Sequence, residues 1–488
     1  MKNIEKILEN IEYKILNSGK EIKYTGMEYD SRQIINGNIF IALDGSVVDG
    51  HNYIEKAILL GAKCILVSKD IKILDKDITY ILVENLRLNL GIIASNFYNW
   101  PQKDLKVIGV TGTNGKTTIT YILDEILKNN MRIGTVEYKI GDEIIPAPNT
   151  TPESLDLIKM CKKAVEKNIE YLVMEVSSHA LEMGRVEMLD FDAGIFTNLT
   201  SEHMDYHKTI KNYYLAKRKL FTKLKDSRLG VYNIENKYGK RLYDEFDGIG
   251  YGEEIGDLRG KIISINNTSQ EIEITYQEKK YRIKSALLGR FNLMNTLGAI
   301  GGGIQLGLDI KIILERLKEL KGVPGRFETV DRGQNFIAIV DYAHTEDALK
   351  NILTALNEIK KGKIITVFGC GGDRDTIKRP KMAEIAELLS DFVVLTSDNP
   401  RTEDPNLILN DVEKGFKKFK DYIKVIDREN AIAEAVFMAD KDDIILIAGK
   451  GHEDYQIIGR EKIHFDDREI VGKYIEEKLK EEKINDRK

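Results

Sequence analysis

The chain has 488 residues, enough for two to four domains at about 100–200 residues each. Hydrophobic residues make up 42% and charged residues 31%, which suits a globular protein with real cores, and a formal charge of -5 argues against a general nucleic-acid binder. The three cysteines, Cys64, Cys161 and Cys370, stand far apart in no CxxC pattern, which excludes a disulfide scaffold and most cysteine zinc sites and fits a reducing cytosol.

The N-terminus, MKNIEKILENIEYKIL, is charged throughout and lacks the apolar core of a signal peptide. No run approaches the ~18 apolar residues of a spanning helix. The expectation is a cytoplasmic protein, not inserted in a membrane. Residues 1–100 read as a small α/β unit, with strands in NIFIAL and AKCILVS and a helical pattern in YIEKAILLG between them. YNWPQKD at 98–104, polar and carrying Pro101, reads as a linker. From Leu105 the pattern becomes β-α alternation: LKVIGV is a strand, TYILDEILKNN an amphipathic helix, and YLVMEV and FDAGIF are buried strands. A break falls near GVPGRFE at 322–328. After it FIAIVDYAH, KIITVFGCGG, FVVLTSDNP and DIILIAGKG alternate with helical segments. The tail IVGKYIEEKLKEEKINDRK is expected to be a solvated terminal helix with no site. The fold class expected is α/β in three domains, at 1–100, 101–324 and 325–488. The first is a small α/β domain, the second a mostly parallel sheet of the P-loop ATPase kind, and the third Rossmann-like.

Each apolar strand runs out into residues suited to chemistry: TGTNGKTT, EVSSHA, TNLTSEH, DYAH, GCGGDRD, DNPR and GKGHED. Ligands of open parallel sheets bind outside the carboxyl ends of the strands. One cleft lined by two domains is therefore expected. VIGVTGTNGKTTIT sets a glycine turn between a strand and a helix, where backbone N–H groups and the helix N-terminus make an anion cradle. Gly112, Thr113, Asn114 and Gly115 form the turn, Lys116 would reach the terminal phosphates of ATP, Thr117 would bind magnesium, and Thr118 continues the register. The spacing departs from GxxxxGK[ST], since Val110 stands where the first glycine belongs. The plain alternative is a glycine turn with a surface lysine, and the intact strand–turn–helix register opposes it.

This loop resembles that of the Mur ligase family and its relative folylpolyglutamate synthetase, typically TGTNGKT[ST], and the resemblance runs over nearly the whole chain. It implies that Glu175, in EVSSHALEMGRV, and His203, in TNLTSEHMDYH, bind a second magnesium ion beside the one at Thr117. Glu202 stands where the family usually has aspartate, and His207 is a neighbour that shapes the loop. Lys217 in NYYLAKRKLF matches a lysine the family carries as a carbamate, N6-carboxylysine; by pattern alone Lys217, Arg218 and Lys219 would be solvated cations on an amphipathic helix. In LLGRFNLMNTLGAI, Asn295 would face adenine, while Asn292 suits a helix cap. Arg326 would lie at a hinge, and Asp341 and His344 would contact nucleotide; Glu346 replaces the proline usual after DYAHT.

The acid substrate follows from the same resemblance. EYDSRQIINGNIFIALDGSVVDGHNYI looks like a uridine-nucleotide domain, with Ser31 and Arg32 facing UDP and Ser46 and Asp49–Gly50–His51 nearby. In NTTPES, Asn149, Thr150 and Thr151 would meet a sugar and its peptide, and Ser177 and Arg185 would hold a D-glutamyl end. The expected acid is UDP-N-acetylmuramoyl-L-alanyl-D-glutamate. For the amine, Arg401 of DNPR suits a distal carboxylate and repels a distal ammonium. Asp398 and Asn399 would orient the turn or meet the amino group, Pro400 stiffens the approach, Arg374 would hold a carboxylate, and Gly449 and Glu453 the distal amino-acid centre. The expected amine is meso-diaminopimelate or a close diamino diacid such as meso-lanthionine, joined through an acyl phosphate by a monomeric enzyme. The rival readings are a lysine-adding ligase of the same family, folylpolyglutamate synthetase, and a P-loop ATPase that makes no amide.

Overall fold

The computed structural model describes all residues except 1–2, 21–22, 46–47, 201, 267–268, 418–420 and 486–488, so Ser46 lies outside the described residues. The chain forms two compact units, Met1–Leu258 with Gly298–Ile313, and Arg259–Leu297 with Leu314–Lys488.

The first unit holds two sheets. Strands β1 (Tyr13–Asn17), β2 (Gly26–Glu28), β3 (Asn38–Ala42), β4 (Cys64–Val67) and β5 (Thr79–Val83) lie in the order β1-β5-β4-β3-β2, with β1 antiparallel and the rest parallel. NIFIA and CILV are buried throughout, as parallel strands covered on both faces must be. The second sheet is built from β6 (Lys106–Thr111), β7 (Asn130–Ile133), β8 (Glu137–Ile140), β9 (Glu143–Pro146), β10 (Tyr171–Glu175), β11 (Ala193–Phe196), β12 (Gly230–Asn233) and β13 (Ile249–Gly252). Its order is β13-β12-β11-β6-β10-β7-β8-β9, parallel from β13 to β7 and antiparallel beyond. β6 and β10 sit at its centre, so the glycine turn and Glu175 leave from adjacent strands. The register pairs Glu175 with Val110.

The segment read as a linker is tied down. Asn99 and Trp100 take left-handed backbone at the end of helix Leu86–Tyr98, and Pro101 and Gln102 are buried in a 3-10 turn. Gln102 Nε2 donates to Ser95 Oγ at 2.8 Å. The segment that joins the two sheets is thus ordered, the Gln102 amide N–H groups finding acceptors inside the protein instead of in water.

The second unit contains β14 (Leu258–Ile265), whose first residue belongs to the first unit, β15 (Gln270–Tyr276) and β16 (Lys279–Ser285), then a six-stranded sheet of β17 (Glu328–Thr329), β18 (Ile337–Asp341), β19 (Ile364–Phe368), β20 (Phe392–Leu395), β21 (Tyr422–Lys424) and β22 (Ile444–Ala448). The order is β17-β18-β22-β19-β20-β21, parallel except for β17. Helices Glu346–Ile359, Lys378–Leu389 and Pro405–Glu413 cover one face, and Arg428–Met438 and Asp467–Asn485 the other. A hairpin, β23 (Tyr455–Ile458) and β24 (Glu461–His464), follows β22. The terminal helix is not simply solvated: Val471 and Ile475 are wholly buried in the core shared with Arg428–Met438, and Asp467 is wholly buried.

Candidate functional site

In the first unit, β6 delivers the turn Gly112–Gly115 to helix Lys116–Leu127. Gly112 has φ +149, and a side chain there would collide with the Thr197 hydroxyl; Gly115 has φ +89. Both positions therefore demand glycine. The turn is braced from the end of β11. Thr113 N donates to Asn198 O (2.9 Å), Asn114 N to Asn198 Oδ1 (3.0 Å) and Thr197 Oγ1 to Asn114 O (2.6 Å). The Lys116 ammonium folds back onto the carbonyls of Gly112 (2.9 Å) and Thr113 (2.6 Å), where an anion in the turn would draw it outward. Thr118 is buried in the first helical turn.

Glu175 is buried at the end of β10. Its Oε1 accepts from Thr117 Oγ1 (2.9 Å) and Thr135 N (2.9 Å), and its Oε2 from Thr135 Oγ1 (3.1 Å). A hydroxyl and a carboxylate converging beside a phosphate turn are hard oxygen donors, the chemistry magnesium takes. Lys217 lies on the inward face of helix Ile210–Arg218 with Tyr213, Tyr214 and Ala216. Its Nζ donates to Gly112 O at 2.7 Å and lies 4.5 Å from the Tyr213 ring centre. Burial, with the Lys116 charge nearby, holds this amine well below the ordinary lysine value. The pattern-only picture of three solvated cations is therefore corrected: Lys217 is buried, while Arg218 pairs with Glu245 and Lys219 with Glu182 at the surface. His203 is exposed with left-handed backbone, its ring 5.0 Å from that of His179. His207 is buried, bonded to Ser178 Oγ at 2.9 Å, and its desolvation lowers its pKa.

The second unit gathers its chemistry at the carboxyl ends of β18, β19, β20 and β22. Asp341 ends β18 and accepts from Phe327 N (2.7 Å) and Ala343 N (2.8 Å). Desolvation pushes its carboxyl up, against the pull of Arg326. Arg326 lies over the Tyr342 ring, 4.9 Å from its centre, and His344 contacts the same ring, with its Nδ1 2.8 Å from Tyr342 O. Asp398 and Asn399 are buried past the end of β20. Asn399 Nδ2 donates to Glu453 Oε2 at 3.0 Å, and Gln456 Nε2 to Asp398 O at 2.7 Å. Asp398 Oδ1 is buried with no hydrogen-bond partner among the described residues. A side chain at Gly449, where φ is +121, would come within 3.0 Å of Asp398 Oδ2. Arg401, φ +51, donates from Nη1 to Gly372 O at 2.8 Å, and its backbone is stitched to the hairpin through Ile457 O (3.0 Å) and Gly459 N (2.7 Å). Pro400 is buried and Arg374 is exposed on the loop after β19.

Residues 110–302 match the Mur ligase middle domain, 325–451 the Mur ligase glutamate ligase domain, and 23–98 the Mur ligase family catalytic domain. A UDP-N-acetylmuramoyl-L-alanyl-D-glutamate--2,6-diaminopimelate ligase of Fusobacterium nucleatum is 54% identical, over 98% of this chain and 100% of the relative. The chain belongs to the Mur ligase family. The protein of the same name from Clostridium tetani is 45% identical over 97% of this chain and 99% of its own. This Mur ligase also resembles solved structures. One, titled as a UDP-N-acetylmuramoyl-L-alanyl-D-glutamate--2,6-diaminopimelate ligase, has a TM-score of 0.67 at 30% identity, covering 93% of this chain and 95% of that one. The MurF ligase of Thermotoga maritima in complex with ADP (TM-score 0.64, 19% identity, 93% and 98% covered) shares the fold. So does the folylpolyglutamate synthase of the same organism (TM-score 0.57, 17% identity), over only 74% of this chain and 90% of its own.

Other expected residues of the Mur ligase chain fall into place unevenly. Thr151 Oγ1 donates to Glu175 O at 2.8 Å and accepts from Ser177 N at 3.1 Å, and Arg185 Nη1 donates to Thr151 O at 2.9 Å. Thr150 Oγ1 is 3.1 Å from Thr135 Oγ1, which itself reaches Glu175. Asn149 is exposed, though its carbonyl accepts from Tyr138. Ser177 also caps helix Ser178–Glu182. Ser31 is buried and Arg32 exposed, paired with Asp30, whose carboxyl that pairing lowers. Asn295 is buried in helix Arg290–Gln305, its Nδ2 3.2 Å from Asn292 Oδ1. Asn292 is no cap: it lies inside the helix and donates to Leu288 O at 2.9 Å. Sequence reasoning missed Thr135, Asn198, Gln456 and Lys450. Lys450 is wholly buried and reaches Glu453 Oε2 (3.2 Å) and Asn399 Oδ1 (3.5 Å). The signal for it was available, since a lysine between two glycines in GKGHED sits at a strand end.

Proposed function

We propose that this ATP-dependent ligase joins a diamino diacid, meso-diaminopimelate or a close analogue such as meso-lanthionine, to the side-chain carboxylate of UDP-N-acetylmuramoyl-L-alanyl-D-glutamate. It would do so as a cytoplasmic, monomeric enzyme of peptidoglycan precursor synthesis. We also propose domains at 1–100 for the uridine nucleotide, 101–324 for ATP and 325–488 for the amine. The observation that supports the amine most is the cluster at the ends of β20 and β22. There a buried carboxylate (Asp398), an amide–carboxylate pair (Asn399 and Glu453) and a guanidinium (Arg401) lie on adjoining loops. Such a set suits an amino acid carrying both an ammonium and a carboxylate at its far end.

The turn Gly112–Thr118 would cradle the ATP phosphates and Lys116 would neutralise the terminal one. Thr117, Glu175, His203 and Lys217 as a carbamate would hold magnesium, which when bound offsets phosphate charge. The oxygen donors at Thr117 and Glu175 fit that ion. A desolvated amine at Lys217 fits carbon dioxide capture, since only the neutral amine is a nucleophile. Thr150, Thr151, Ser177 and Arg185 would orient the D-glutamyl carboxylate to attack the terminal phosphate, giving an acyl phosphate and ADP. Ser31 and Arg32 would meet the uridine nucleotide, with Asn149 on the sugar side. Asn295, Arg326, Asp341 and His344 would serve the nucleotide base and ribose. Arg374, Asp398, Asn399, Pro400, Arg401, Gly449 and Glu453 would present the amine, whose attack releases phosphate and leaves an amide.

The test is ADP release by purified enzyme given the UDP-linked dipeptide, ATP and magnesium, with meso-diaminopimelate, meso-lanthionine, L-lysine and L-ornithine offered one at a time. Turnover with a diamino diacid alone is the expected result. Turnover with lysine would discard the role given to Arg401, and turnover that needs no amine would discard amide formation.

A further inference from the structure

Arg428 begins helix Arg428–Met438 and its side chain is wholly buried, as is that of Asp467 at the start of the last helix. The guanidinium uses both edges. Nε and Nη2 donate to Asp467 at 2.8 and 2.6 Å, Nη1 donates to Ser397 O at 3.2 Å, and Nη2 donates to Ala448 O at 3.1 Å. Ser397 immediately precedes Asp398, and Ala448 immediately precedes Gly449. Strands β20 and β22 are not neighbours; β19 lies between them. One planar fork therefore ties together the ends of two separate strands, each just before a residue assigned to the amine. The tolerance there is tight, because a side chain in place of Gly449 would come within 3.0 Å of Asp398 Oδ2.

We infer that Arg428, aimed by Asp467, is a positioning residue that sets the spacing of Asp398 and Gly449 and so the affinity for the amine substrate. The inference rests on the amine-site assignment proposed above. A bidentate carboxylate and two carbonyls engage four of the five N–H groups of this buried cation, and a fixed fork holds its acceptors at a fixed separation. Burial opposes the charge most strongly, but Asp467 together with the nearby Asp398 and Glu453 carboxylates more than offsets it, and the guanidinium pKa stands above its ordinary value. The charge that orders the strand ends thus lies close to the two carboxylates expected to face the substrate ammonium.

The experiment measures kcat and KM separately for amine, ATP and UDP-linked dipeptide in Arg428→Lys, with Arg401→Ala and wild type alongside and thermal melting as the folding check. A lysine keeps the charge but cannot span two carbonyls and a carboxylate. The expected result is a KM for the amine raised about tenfold or more, with the other two KM values unmoved. A lower kcat with all KM values unchanged, a common rise in all three, or no change would each overturn the inference. If Arg428→Lys does not fold, Asp467→Asn decides the matter: a selective rise in amine KM supports the positioning role and an unaltered KM overturns it. If Arg401→Ala leaves amine KM unmoved, the site assignment itself fails and this inference falls with it. If Arg401→Ala raises it and Arg428→Lys does not, only the positioning role fails.

Discussion

Three consecutive cations, Lys217, Arg218 and Lys219, differ by where the helix turns them. Lys217 follows Tyr213 by four residues and Tyr214 by three, so it shares their buried face, while the next two residues rotate into solvent. An ammonium buried beside Lys116 is costly, and the depressed pKa is the outcome. The neutral amine can take up carbon dioxide. Intact-mass measurement of native protein in bicarbonate is expected to show a gain of one carbon dioxide that is absent in Lys217→Met, and an unmodified wild type would refute the carbamate. Arg401 illustrates the same scale in the second unit. Its left-handed backbone and its bond to Gly372 O fix where the guanidinium points. Arg401→Ala is expected to raise the amine KM by more than about tenfold, the loss of a charge-assisted bidentate contact, with ATP binding little changed.

At the scale of elements, the last helix carries more than its composition suggests. IVGKYIEEKLKEEKIN is rich in charge, yet Val471 and Ile475, four apart, lie on one wholly buried stripe against helix Arg428–Met438. Ile475→Ala is expected to destabilise the second unit by about 2–5 kcal/mol, as deleting a buried branched side chain does. The shift of its thermal transition measures this, and a change below about 0.5 kcal/mol would mark the helix as peripheral. The hairpin β23–β24 acts on the other side of the site, pairing its backbone with Arg401 and its Gln456 amide with Asp398 O. Neither it nor the strands β7–β9 was legible. EYKI and EIIP are only four residues each, and their strand character comes from antiparallel pairing, β8 with β7 and β9 with β8.

For the whole molecule, the sheets of β6–β13 and β17–β22 each gather polar groups at strand carboxyl ends, the glycine turn and Glu175 in one and the Asp398–Glu453 group in the other. No helix among the described residues is long and apolar enough to cross a membrane. The three cysteines are buried, and burial pushes each thiol up to about 12, which leaves them poor nucleophiles. ADP release is expected to require acid and amine together and to stop when magnesium is chelated, returning on its readdition. Release sustained without the amine, or insensitive to chelation, would oppose the ligase reading.

The sequence alone determined the phosphate turn, the succession of parallel strands and the strand-end motifs, because these are local: glycine at Gly112 and Gly115, apolar runs such as NIFIA, and a lysine–threonine pair opening a helix. Tertiary structure alone decided which polar groups meet. Burial distinguished Lys217 from Arg218, placed Thr135 on Glu175, and set Arg428 beneath two strands that are not neighbours. Hydrogen bonds between residues tens of positions apart leave no periodic trace in a chain. They are fixed only when the sheet order brings the ends of those strands to one place.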